Sequence, residues 1–228
     1  AVQLRGHWHG VGIVRDITER KRAEESLQRT NRALRTISAC NMALVHATQE
    51  QQLLTDMCRT VVEQGGYRLA WIGLAEHDDD KSVRQVASAG CEAGFTASLC
   101  ANWTDIESGQ NPAGRAMRLG TPQIAKDILT DPQHVSWREH ALACGYASCL
   151  ALPLKEDGGE AFGVLNICAG ELNAFDDDEI RLLQELADDL AFGVLTLRTS
   201  QQRDRYQQEN LRSLDRLKQA LLGTVRAV

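Results

Sequence analysis

The 228-residue chain has no run of 18 or more apolar residues, which excludes a bilayer-spanning helix, and no secretory signal opens it. No Cys-x-x-Cys pair is present, so the strongest zinc and redox signatures are missing, and no Gly-rich phosphate loop is visible. A basic surplus is missing too: the formal net charge is -6 and the pI is near 5.5, which argues against a phosphate-backbone partner. The one basic cluster, Arg15, Arg20, Lys21 and Arg22, runs straight into Glu24 and Glu25 and reads as the solvated face of a helix. These absences set the expectation of a cytoplasmic protein with no nucleic-acid partner and no membrane contact within this stretch.

Seven cysteines, Cys40, Cys58, Cys91, Cys100, Cys144, Cys149 and Cys168, are odd in number and scattered through apolar segments. They read as free buried thiols of a reducing compartment. His7 and His9 share one face of a strand, and His134 lies in a later loop, but none has a third ligand at metal spacing. No metal is expected.

What is present begins with a change of period. Residues 10–17 read as an apolar strand end, and Asp16 or Thr18 is the N-cap of the charged helix that follows. Leu27, Leu34 and Asn41 then recur every seven residues beside a second seam of Thr30, Ile37 and Leu44, the pattern of a coiled coil. A second helix over residues 51–64 carries Leu53, Leu54, Met57, Val61 and Val62 and stops at Gly65-Gly66.

Strand signals follow. Residues 67–75 and 82–89 read as a hairpin, 112–119 as a helix opened by Pro112 and closed by Gly120, 122–125 as a short strand and 134–144 as a helix. Residues 147–154 and 161–169 are strongly apolar strands joined by Glu156-Asp157-Gly158-Gly159. From Asp176 the chain is helical, with Leu183, Leu186, Ala187, Leu190, Val194 and Leu197, then a polar stretch, then Leu211, Leu214, Leu221 and Val225. About fifty residues at 1.5 Å each make a rod of roughly 75 Å, longer than one domain needs. The two apolar strands carry hydrophobic residues at both parities, so the sheet must be covered on both faces. Terminal helices can cover one. Residues 91–144 are left for the other, and they contain Trp103, Asp127, His134 and Trp137.

Several segments carry a family resemblance: Ala70-Trp71-Ile72-Gly73-Leu74, Asn111-Pro112-Ala113-Gly114-Arg115-Ala116, Gly145-Tyr146-Ala147-Ser148, Ala151-Leu152-Pro153-Leu154, Phe162-Gly163-Val164-Leu165, and Phe175 with Glu179. Over residues 31–198 the chain resembles a GAF domain. The resemblance implies an α+β fold in which a central antiparallel sheet has helices on both faces, flanked here by long N- and C-terminal coiled-coil helices. It also implies a ligand pocket on the face opposite the terminal helices. Residues 12–25 resemble the end of a PAS sensor domain running into a signalling helix, and residues 211–228 resemble the helix leading into HD-GYP phosphodiesterase domains. The expected organisation is a PAS remnant at 1–17, a signalling helix at 18–47, the GAF domain at 31–198 and a coiled-coil linker at 199–228 toward an output domain.

Within that frame the expected ligand contacts are Trp71, Trp103, Trp137 and Tyr146 as aromatic walls, with Asp127, His134, Ser148 and Cys149 as polar groups. Cyclic-nucleotide-binding relatives carry an Asn-Lys-Phe-Asp-Glu motif. Here Asn173, Phe175, Asp178 and Glu179 lack the lysine, and the Phe-to-Asp spacing is short, so cyclic nucleotides are not expected. The Cys-His pair of bilin-binding relatives is absent. Relatives that reduce free methionine sulfoxide hold cysteines in loops that here correspond to 111–114 and 134–137, which contain none. The expectation is therefore a sensory module and not an enzyme, acting as a homodimer through both helical ends, with an unidentified small-molecule ligand and no specified cofactor. The alternative is a ligand-free dimerisation spacer.

Overall fold

The structure is a computed structural model that describes residues 2–4, 7–9, 16–90, 102–104, 109–130, 138–156 and 159–225. Two short strands, β1 (Val2–Leu4) and β2 (His7–His9), pair antiparallel. Helix α1 (Thr18–His46) follows, and Asp16 supports its start by accepting the Thr18 N–H at 2.9 Å, although the capping position itself is Ile17. Helix α2 (Glu50–Glu63) then leads into strands β3 (Leu69–Ala75) and β4 (Val83–Ala89).

Helix α3 (Pro112–Leu119) has the ends its sequence specifies. The Asn111 side chain accepts the Gly114 N–H at 3.0 Å, proline occupies the first turn where no N–H is needed, and Gly120 closes the helix at φ 64°. Strand β5 (Gln123–Ala125), helix α4 (Arg138–Cys144), strands β6 (Ser148–Lys155) and β7 (Ala161–Ala169) and helix α5 (Asp177–Val225) complete the order.

The main sheet is five-stranded and antiparallel, in the order β4-β3-β7-β6-β5. Strand parity sorts its side chains into two cores, as expected from the apolar residues at both parities. Ile72, Leu150, Leu152, Leu154, Leu165 and Ile167 face α1, α2 and α5 in one cluster. Leu69, Trp71, Cys149, Ala151, Val164 and Cys168 face the other way, under Ala113, Ala116 and Met117 of α3, Ile128, and Ala141 of α4.

Helices α1 and α5 run parallel, because Ser26 meets Asp176, Arg32 meets Glu179 and Leu44 meets Gly193 in one ascending series. A Cβ at Gly193 would lie 2.6 Å from Leu44 Cδ2, so the close approach of the two helices depends on glycine there. The α1 residues that are fully buried are the small Ala33, Thr36 and Cys40. Ile37 and Leu44 of the second predicted seam are partly buried against the core, whereas Leu27, Leu34, Met42 and Val45 are exposed along the outer face. Helix α5 outlasts α1. Leu197 and Leu211 are two full heptads apart, so the stripe that packs inside the domain continues in register to the exposed Leu211 and Leu214.

The expectation of free cysteines throughout fails at one pair. Cys149 and Cys168 sit opposite each other in the β6/β7 ladder and form a disulfide, with their Cα atoms 4.1 Å apart. The close approach characteristic of a non-hydrogen-bonded antiparallel pair brings the two side chains together. Cys40 and Cys58 are free and buried, and burial pushes their thiols up to about 12. Among the described residues no helix is long and apolar enough to cross a membrane.

Candidate functional site

Trp71, Tyr146 and Cys149 are brought together on the face of the sheet turned away from α1, α2 and α5, and all three are buried. Asn166 lies among them, on the same parity of β7 as Val164 and Cys168. With its amide oriented to satisfy both ends, Asn166 accepts the Trp71 indole N–H at 2.8 Å and donates to the Leu150 carbonyl at 3.1 Å. It is a polar residue in the middle of an apolar strand, and that interruption was the sequence signal for it.

Trp103 packs at the edge of the same cluster. Its backbone N–H donates to the Lys81 carbonyl at 3.0 Å, the Lys81 ammonium sits 4.6 Å from the ring centre, and His77 meets the ring edge-on at 6.4 Å. The Trp103 indole N–H is buried and has no partner among the described residues. Arg118 of α3 clamps the neighbouring backbone by donating to the carbonyls of Thr104 and Gly109. A Cβ at Gly114 would collide with the Asn102 carbonyl, so α3 reaches this segment only through glycine.

The remaining candidates separate. Asp127 stands in the turn after β5, where it accepts the Leu129 N–H at 3.0 Å and the Thr130 hydroxyl at 2.8 Å; the Thr130 bond holds its carboxyl below the usual value. Ser148 is a correction: it shares the parity of Leu150, faces α5, donates to the Glu171 carbonyl at 2.7 Å and accepts the Ala174 N–H. It organises the turn into α5. Cys149 is a second correction, since its sulfur is bonded to Cys168 and offers no thiol to a ligand. His134 and Trp137 lie outside the described residues.

A polar joint on the helical side was not anticipated. Glu179 in the first turn of α5 is fully buried, and its Oε1 accepts from Arg32 Nε at 3.0 Å, Arg32 NH2 at 2.8 Å and the Tyr67 hydroxyl at 2.7 Å. Arg32 also donates to the Ala174 carbonyl and lies 4.6 Å over the Tyr67 ring, which stacks on Phe175 at 5.8 Å. Asp176 caps α5 by accepting the Glu179 N–H at 2.9 Å. Burial pushes the Tyr67 hydroxyl and the Glu179 carboxyl up from their ordinary values, and Glu179 Oε2 has no partner among the described residues. This one carboxylate ties the entering helix, the residue ahead of β3 and the leaving helix together.

A two-core antiparallel sheet, with the terminal helices on one face and short helices over an aromatic patch on the other, is the architecture of a GAF-type domain. A family model of the GAF domain matches residues 47–194, and the chain belongs to that family. A curated relative, the methyl sulfide methyltransferase-associated sensor of Methanosarcina acetivorans, is 27% identical over 174 residues, which are 76% of this chain but only 16% of that protein. Among solved structures, the free methionine-R-sulfoxide reductase of Neisseria meningitidis aligns with a TM-score of 0.60 at 20% identity, covering 74% of this chain and 91% of its own. The GAF domain of a phosphoenolpyruvate-protein phosphotransferase from Coxiella burnetii aligns with a TM-score of 0.60 at 18% identity, covering 75% and 97%.

The reductase alignments overturn the expectation that this domain is not an enzyme. Two further proteins of that kind, from Thermoplasma acidophilum and Staphylococcus aureus, also share the fold. The same architecture carries sulfoxide reduction in those proteins.

Proposed function

We propose that this chain is the sensory and relay module of a signalling protein: a small uncharged molecule binds against Trp71, Trp103 and Tyr146, and the parallel pair α1/α5 carries the change onward in a homodimer. The observation that carries this reading is the buried Arg32–Glu179–Tyr67 joint, because it couples the start of β3, which bears Trp71, to both helices. The ligand class is inferred from the apolar and aromatic side chains Leu69, Trp71, Tyr146 and Val164 of the second core, and from the Trp103 N–H, which has no partner among the described residues and suits a hydrogen-bond acceptor. The dimer seam consists of Leu27, Leu34 and Val45 on α1 and Leu211 and Leu214 on α5, all exposed. In this reading residues 1–17 are the end of a PAS domain, 18–47 the signalling helix and 199–228 the linker to an output such as an HD-GYP phosphodiesterase.

A ligand-free spacer is the second reading, favoured by Asn166 and Trp71 satisfying each other within the fold. The relay is tested in a protein carrying its output domain beyond residue 228. Inserting four residues near Gln207 rotates the distal seam by about 40° relative to the core, since four residues overshoot one 3.6-residue turn. Output activity should change while ligand affinity stays the same. Unchanged output across insertions of one to four residues would mean that the connection is a flexible tether.

A further inference from the structure

We propose that Cys149 and Cys168 form a reversible redox site whose state is read by Trp71 through Asn166, with small thiols of the glutathione class as its reductant. Three observations point the same way. The two cysteines are opposed residues of neighbouring central strands, and the ladder on either side, from Ser148↔Ala169 to Leu154↔Gly163, keeps the sulfurs adjacent whether or not they are bonded. The pair lies within the second core, beside the aromatic patch, and not between distant elements that need a staple. Finally, the Asn166 amide atom that accepts the Trp71 N–H lies 3.8 Å from Cys168 Sγ.

That last contact gives the bond a readout. A disulfide sulfur carries no proton, whereas a Cys168 thiol can donate to the Asn166 oxygen and compete with Trp71 for it. Reduction would therefore loosen or tilt the Trp71 indole without moving the ladder. The exchange is two successive displacements. A glutathione thiolate attacks one cysteine sulfur, the Cys149–Cys168 bond breaks, and the released cysteine takes a proton. A second glutathione thiolate then attacks the mixed disulfide, expelling the other cysteine as a thiol and leaving oxidised glutathione. Two electrons and two protons pass from glutathione to the protein. Both cysteines are fully buried, so each displacement waits for the cover formed by α3 and α4 to open.

The test titrates the full chain across a series of ratios of reduced to oxidised glutathione and quenches each sample by alkylation for mass spectrometry. Nitrogen-labelled protein is followed in parallel by the Trp71 indole N–H resonance, assigned by W71F. The expected result is that Cys149 and Cys168 convert together as a two-electron couple, with circular dichroism unchanged and the Trp71 resonance shifting at the same midpoint. C149S should hold Trp71 at its reduced position at every ratio, and C149S/C168S should abolish the titration. The proposal is overturned if the pair resists glutathione until the fold is lost, if it stays unbonded at every ratio, or if it cycles while the Trp71 resonance stays still.

Discussion

On the face covered by α1, α2 and α5 the sheet presents Ile72, Leu150, Leu152, Leu154, Leu165 and Ile167; on the face covered by α3 and α4 the same strands present Trp71, Cys149, Ala151, Val164, Asn166 and Cys168. The first set is all large aliphatic groups, which bury the most apolar area per residue and have nothing polar to satisfy. The second mixes small residues, one bonded sulfur pair and an indole held by an amide. Large side chains fill a core, and small ones leave a surface that its cover can reshape. The helical face therefore holds the domain together, and the opposite face is the one proposed above to take the ligand.

The comparison can be broken by substitution on each side. Leu165→Ala, in the centre of the aliphatic face, should cost about 2–5 kcal/mol in urea unfolding, the range for a buried large-to-small change. Asn166→Ala, one residue away and facing the other side, should cost about 1–3 kcal/mol by leaving the Trp71 N–H without its acceptor, and should change Trp71 fluorescence. A larger loss at Asn166 than at Leu165 would contradict the division.

The joint on the helical side sharpens the same comparison, because it places a charge in the aliphatic core. Glu179→Ala strands Arg32 and the Tyr67 hydroxyl and should cost about 1–3 kcal/mol, whereas Glu179→Gln keeps an acceptor oxygen and should cost less. The pH dependence has a definite sign. The folded chain holds the Glu179 proton above the ordinary value of 4.5 that applies in the unfolded chain. Folded protein therefore binds that proton more tightly, the contribution to stability is fully present below 4.5, and it is lost as pH rises through the raised folded value. Glu179→Gln should flatten that slope in unfolding midpoints measured from acid to neutral pH; a steeper slope would reverse the assignment.

The smallest effect expected concerns thiol reactivity. Cys144 is only partly buried, whereas Cys40 and Cys58 are buried with their thiols raised to about 12. Alkylation of the native chain at neutral pH should label Cys144 ahead of Cys40 and Cys58, which stay protected until unfolding.

Local punctuation made much of the fold legible. Pro112 and Gly120 bracket α3 at its observed ends, and the run between Gly159 and Gly170 delivers β7 over 161–169. Parity in β6 already placed Ser148 with Leu150, and counting outward from the Glu156–Gly159 turn brings Cys149 close to opposition with Cys168, so both corrections follow from register. The buried stripe of α1 was less legible because it consists of Ala33, Thr36 and Cys40, while larger apolar residues face outward. The Arg32–Glu179–Tyr67 joint spans 147 and 112 residues and leaves no local pattern to read.

The central claim, a dimeric sensor whose outer helical stripe is a seam and whose aromatic face takes a small molecule, is tested most directly by native mass spectrometry of the full chain purified from its source. At tens of micromolar the account predicts the mass of two chains with a bound small molecule, conversion to single chains on Leu27→Asp with Leu34→Asp, and loss of the added mass on Trp71→Ala. A single chain with no added mass at that concentration would contradict both halves of the claim.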